Sequence, residues 1–188
     1  FLQRDLGTAL MYYFTTIALF YAASSHLFLT LLGLGGGAGA AVLGYEMFSH
    51  VKVRVAMWRN PWTDVLGKGW QIIQALLAIG SGGLSGLGLG MSRQKYLYLP
   101  EEHNDFIFSV VCEELGFIGV SAILLLFAML VVRGYWISMQ SGDRFSFLAG
   151  CGITTMLALQ VVLNVAVCTN LVPCTGISLP FFSYGGTA

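Results

Sequence analysis

Apolar residues in this chain come in long runs separated by short polar segments, without the strict alternation of a half-exposed strand. From Leu6 to Tyr45 there is no Asp, Glu, Lys or Arg over 40 residues, about twice the ~20 residues a helix needs to cross a bilayer. The polar cluster Ser24-Ser25-His26 divides this run and predicts two helices, over 6–23 and 27–45, joined by a tight turn. Phe106 to Ser138 predicts one long helix with the uncharged stretch Leu115 to Val132 as its membrane core. Met139 to Arg144 turns the chain, and Phe145 to Thr169 (residues 145–169) predicts a fourth span. The expected fold is therefore all-α: a polytopic membrane protein with four transmembrane helices.

Residues 46–105 have a different texture. Glu46 to Phe108 holds six of the nine basic residues (Lys52, Arg54, Arg59, Lys68, Arg93, Lys95) and five acidic ones, among Gly, Pro and Trp. This predicts a large extramembrane loop. Within it, Trp70 to Ile79 is an apolar patch flanked by glycines; such a length is too short to span and predicts an interfacial or re-entrant helix. Trp58, Trp62 and Trp70 suit an interfacial position. The last segment, Leu171 to Ala188, contains Pro173, Pro180 and three glycines, so it cannot be a regular helix.

Composition excludes a soluble domain: 10% of residues are charged and 56% hydrophobic, with a mean hydropathy of +0.77, where soluble domains average about 25% charged. Nine acidic and nine basic side chains cancel, and without a basic run nucleic acid is excluded as a partner. The start at Phe1, with no basic n-region, and the Gly-rich end at Ser183 to Ala188 predict an internal piece of a longer chain. Cys112, Cys151, Cys168 and Cys174 form no C-x-x-C pair and are expected as buried small hydrophobes rather than zinc ligands, with a Cys168–Cys174 bridge left open. Counting Lys and Arg would put the large loop in the cytoplasm, because the loop between the last two spans offers only Arg133 and Arg144. That rule weakens beyond about 60 residues, so charge leaves the sidedness undecided.

Several patterns could carry chemistry. Gly33/Gly37 and Gly35/Gly39 are G-x-x-x-G pairs that let helices approach closely. Gly33 to Ala38 also fits a dinucleotide fingerprint, but without a preceding strand. The glycines from Gly80 to Gly90 allow either a flexible loop or a nest of backbone N–H groups for an anion. The densest polar cluster is Leu99-Pro100-Glu101-Glu102-His103-Asn104-Asp105. Asp105 would cap the following helix, or be left free if Asn104 caps it. At about 100° per residue, Glu113 lies about 80° from Asp105 and Glu114 nearly opposite. Only Glu113 could then share a cavity with Asp105, and an ion pair with a loop arginine is the structural alternative for both. Gln160 and Asn164 share one helix face.

Arg4-Asp5-Leu6-Gly7-Thr8-Ala9, Asn60-Pro61-Trp62-Thr63-Asp64, Gly80-Ser81-Gly82-Gly83, Leu99 to Phe108 with Glu113-Glu114-Leu115-Gly116, and Pro173 to Gly186 occur in this order. Together they resemble the SEDS family, the bacterial shape, elongation, division and sporulation proteins, over essentially the whole chain. Ser92-Arg93-Gln94-Lys95 is more similar to the FtsW and SpoVE branch than to the RodA branch. Cys174 occupies a variable place in the Pro-x-Thr-Gly motif, and Thr187-Ala188 stands where a pair of serines is usual.

The resemblance implies spans six to nine of a ten-span fold in the bacterial cytoplasmic membrane, with the large loop extracytoplasmic. It implies a peptidoglycan glycosyltransferase that polymerises lipid II into glycan strands beside a class B penicillin-binding protein, in division, elongation or sporulation. Asp105 matches the family's catalytic aspartate. A carboxylate there would take the proton of an acceptor sugar hydroxyl as it attacks the anomeric carbon, with inversion and loss of undecaprenyl diphosphate, an effect worth about 10² to 10⁴ in rate. Arg54, Arg59, Lys68, Arg93 and Lys95, or a divalent cation such as Mg or Mn, would hold the departing diphosphate. Glu101, His103 and Glu113 would tune Asp105 or bind metal. Gln160, Asn164, Thr175 and Ser183 would line the groove, unless they serve only polar packing. A lipid II flippase and a non-catalytic divisome scaffold are the alternative functions. A piece lacking the remaining spans is expected to be inactive by itself.

Overall fold

The computed structural model describes residues 6–92 and 105–184. Six α-helices follow one another: α1 (Leu6–Ser24), α2 (Leu27–Met47), α3 (Ser49–Arg59), α4 (Trp70–Gly82), α5 (Ile107–Met139) and α6 (Arg144–Cys168), with a 3₁₀ turn at Pro61–Asp64. Among the described residues there is no strand. The four long helices expected from the uncharged runs are present with ends displaced by no more than two residues. Three of them, α2, α5 and α6, are long and apolar enough to cross a membrane. α1, 19 residues long, contains no Asp, Glu, Lys or Arg.

Local chemistry explains the helix ends. Ser25 adopts a left-handed conformation (φ 54°) and its N–H returns to the Tyr21 carbonyl at 2.9 Å, closing α1 where the polar cluster predicted a turn. Asp143 caps α6 by accepting the Ser146 N–H at 2.8 Å. That backbone N–H holds the exposed Asp143 carboxyl below its ordinary value. α6 ends in a Schellman motif: Asn170 is left-handed (φ 56°), while Leu171 N–H reaches the Ala166 carbonyl and Asn170 N–H the Val167 carbonyl.

The large loop is more ordered than a bare loop. α3, which the sequence reading left as loop, carries Lys52, Arg54 and Arg59. It contains neither Gly nor Pro and stops before Asn60-Pro61, as expected of a residue preceding proline. α4 has 13 residues, about 20 Å at 1.5 Å per residue, too short to span and consistent with the predicted re-entrant or interfacial element. Ile72, Ile73, Ala75 and Ala78 are buried.

The chain divides into two compact units, Phe1–Lys52 with Phe127–Leu159, and Val53–Leu126 with Gln160–Ala188. In the first, one predicted glycine pair is used: a Cβ on Gly33 would meet Ile17, and one on Gly37 would overlap Tyr13. Tyr13 Oη donates to the Gly33 carbonyl at 2.5 Å. Gly35 and Gly39 face open space. Tyr135 and Thr155 join their hydroxyls at 2.8 Å in the same unit.

In the second unit α5 departs from the single uninterrupted helix expected. Gly116 has φ 64° and ψ −173°, a region open only to glycine. The break frees two carbonyls, of Glu113 and Glu114, and two N–H groups, of Phe117 and Ile118, that would otherwise pair along the helix. The glycine-rich loop after α4 replaces both bonds. Leu87 and Gly88 donate to the Glu113 and Glu114 carbonyls, each at 3.0 Å, while Phe117 and Ile118 donate to the Gly83 and Leu84 carbonyls at 2.9 and 3.1 Å. The glycines permit this contact, since a Cβ on Gly82 would overlap the Cys112 carbonyl, and one on Gly86 the Glu114 carbonyl. The loop is not a free tether, and the N–H groups of Leu87 and Gly88 are given to α5 carbonyls rather than to an anion.

Candidate active site

Asp105 lies in the turn that enters α5 and is half-buried. The first turn of α5 is tight, with Ser109 N–H donating to the Phe106 carbonyl at 3.0 Å. The Asp105 carbonyl is held instead from α6: Asn164 Nδ2 donates to it at 2.8 Å, and the Cys168 thiol points to it at 3.6 Å. The second N–H of the Asn164 amide goes to the Ile177 carbonyl, also at 2.8 Å. The neighbouring Gly176 is left-handed, and a Cβ there would stand 3.5 Å from Asp105 Oδ2. The structure thus brings Asp105 against Gly176, the residue after Thr175, which alone of this segment was expected from the sequence to line the groove.

That segment is fastened from α3 as well. Arg54 Nη1 donates to the Cys174 carbonyl at 3.0 Å. Trp58 and Asn170 exchange bonds: Trp58 Nε1 to the Asn170 carbonyl at 3.0 Å, and Asn170 Nδ2 to the Trp58 carbonyl at 3.2 Å. Burial pushes the Cys174 thiol up; Arg54 opposes this and Asp105 adds to it. Arg54 and Asp105 thus approach the same short segment, one at the Cys174 carbonyl and the other opposite Gly176.

Other candidates divide between those brought near and those not. Thr175 Oγ1 is buried and finds no hydrogen-bond partner among the described residues. Ser183 Oγ accepts the Leu179 N–H at 2.8 Å and closes the turn after Pro180. Gln160 is half-buried on α6. Asn164 is 0% exposed, and its amide is given to backbone carbonyls rather than to an open groove. Glu113 is 1% exposed and accepts the Ser92 hydroxyl at 2.5 Å. Glu114 Oε1 is buried without a hydrogen-bond partner among the described residues. Arg59 and Lys68 are exposed. Arg93, Lys95, Glu101, His103 and Asn104 lie outside the described residues. Among the described residues no three His, Cys, Asp or Glu side chains gather as a metal site. Sequence reasoning missed the Trp58–Asn170 exchange, for which Asn170 one residue beyond the apolar run was the available signal.

A family model described as "Cell cycle protein", FTSW_RODA_SPOVE, matches residues 1–188. "Stage V sporulation protein E" of Bacillus subtilis (strain 168) is 46% identical over 190 residues, covering 99% of this chain and 51% of that protein. "Probable peptidoglycan glycosyltransferase FtsW" of Trichlorobacter lovleyi is 44% identical over 187 residues, covering 99% of this chain and 49% of that protein. Among solved structures, "Structural coordination of polymerization and crosslinking by a peptidoglycan synthase complex" matches with a TM-score of 0.77 and 32% identity, covering 99% of this chain and 52% of that one. The chain spans about half the length of the curated relatives it matches. With its motifs, its helices and these relatives in agreement, the chain belongs to the FtsW/RodA/SpoVE family of bacterial membrane proteins.

Proposed function

We propose that the protein polymerises lipid II into glycan strands in the bacterial cytoplasmic membrane, with Asp105 as general base and the loop carrying it on the outer face. The supporting observation is the arrangement of Asp105. Its main chain is held by Asn164, while Oδ2 faces Gly176, where no side chain fills the space. A half-buried carboxylate beside an open glycine can accept a proton from a bound hydroxyl and is held still while doing so.

In this reading the acceptor sugar hydroxyl gives its proton to Asp105 as its oxygen bonds to the anomeric carbon. The bond from that carbon to the diphosphate oxygen breaks, its electron pair leaves with undecaprenyl diphosphate, and configuration inverts. The leaving group needs positive charge rather than a proton. Arg54 is bonded to the Cys174 carbonyl, two residues before Gly176, and Arg59, Lys68, Arg93 and Lys95 are further candidate cations of the loop. A class B penicillin-binding protein would cross-link the product, and α1 would serve as a fourth span alongside α2, α5 and α6.

The test uses the whole protein purified with its penicillin-binding partner and given fluorescent lipid II. Asp105→Asn is expected to lower glycan formation by about 10² or more with partner binding retained. Polymerisation within threefold of the parent would overturn the reading. A flippase would then show its defect in lipid translocation, and a scaffold would show none in either activity.

A further inference from the structure

We infer that Asn164 is a positioning residue: its amide sets the main chain of Asp105 against the segment that carries Gly176. The inference rests on Asp105 being the general base and assigns Asn164 a part in that reaction distinct from lining the groove. Asn164 is 0% exposed within an apolar span, where a polar side chain is costly unless fully paired. Both of its N–H groups are paired, to the Asp105 carbonyl at 2.8 Å and to the Ile177 carbonyl at 2.8 Å. Two carbonyls can be satisfied only by the NH₂ end of the amide, so the side-chain orientation is fixed by its partners.

These two carbonyls belong to the segments whose spacing matters. One is that of Asp105 itself; the other is next to Gly176, the residue that Asp105 Oδ2 faces. A single side chain therefore sets the clearance between the base and the opposite wall. Cys168, one turn further along α6, adds its thiol to the Asp105 carbonyl at 3.6 Å and lies 3.9 Å from Asn164 Oδ1. The Asp105 carbonyl is available to both because the tight first turn of α5 pairs Ser109 with Phe106. Leucine, of similar volume, offers no donor; glutamine keeps both donors on a longer arm.

The experiment compares Asn164→Leu, Asn164→Gln and Asp105→Asn in the whole protein with its penicillin-binding partner, measuring kcat and KM for lipid II. Asn164→Leu is expected to lower kcat roughly 10- to 100-fold, as a misplaced catalytic group does, with KM changed less than threefold and the partner still bound. Asn164→Gln is expected to recover part of the lost kcat, which simple loss of folded protein would not produce. If Asn164→Leu does not accumulate, the same split is read on Asn164→Gln, whose kcat should fall while KM holds. A raised KM with kcat kept would instead make Asn164 a substrate contact and overturn the inference. So would parental kcat in Asn164→Leu while Asp105→Asn is inactive. Activity retained in Asp105→Asn removes the base, and this role of Asn164 with it.

Discussion

Gly176 is where a single methyl group should be felt most. Its φ of +78° suits glycine, and an alanine there would pay about 1–2 kcal/mol for the left-handed conformation. Its Cβ would also stand 3.5 Å from Asp105 Oδ2, in the space where a bound hydroxyl would meet the carboxylate. On the role proposed for Asp105, Gly176→Ala is therefore expected to lower kcat/KM for glycan formation by about tenfold or more, which kinetics with fluorescent lipid II check. A parental kcat/KM would mean that the space beside Gly176 is not used. Asp105 and Gly176 stand in motifs that the sequence displays, so both segments could be singled out there, although no part was read for Gly176 itself. The task of Asn164 was not: its partners are backbone carbonyls, which leave no mark in a pattern of side chains. For the same reason Arg54 reads from sequence as a phosphate-binding cation, whereas its contact here is the Cys174 carbonyl.

Between α4 and α5 a loop and a broken helix complete each other's hydrogen bonds, and glycines on both sides make the fit. Gly116→Ala would incur about 1–3 kcal/mol of backbone strain and drive its Cβ into the loop at Gly86 N and the Leu84 carbonyl. Gly86→Ala would press on the Glu114 carbonyl. Gly80, in the last turns of α4, has nothing within 4 Å of a built Cβ, so Gly80→Ala should be neutral or gain about 0.5–1 kcal/mol from helix propensity. Thermal unfolding in detergent checks the contrast: the first two variants should melt several degrees below the parent and the third at or above it. Equal melting temperatures would mean that the loop is not fixed to the helix. Helix ends were legible because the apolar runs are interrupted by polar residues at Ser24, at Asp143 and near Asn170. The break was not, since glycine is common in membrane helices and the residues following Gly116 are as apolar as any span.

Sidedness belongs to the scale of the whole chain and the bilayer, where the charge count leaves it undecided and the family resemblance implies an extracytoplasmic loop. Leu66 is 88% exposed between the 3₁₀ turn and α4, while Cys112, Cys151 and Cys168 are buried. In a Cys174→Ser background, Leu66→Cys should be labelled by a membrane-impermeant maleimide on intact spheroplasts. Labelling that appears only after lysis would place the loop in the cytoplasm. Four long helices were legible from hydropathy alone, yet the division into two units was not, because α3, α5 and α6 each contribute residues to both. The mutual repair of loop and break has a consequence for biosynthesis. Neither piece can sit in hydrocarbon with its peptide groups unpaired, so α4 and the loop after it are expected to stay in water or at the translocon until residues 113–118 emerge. Slowing elongation there should expose a membrane-insertion intermediate sensitive to quality-control proteases.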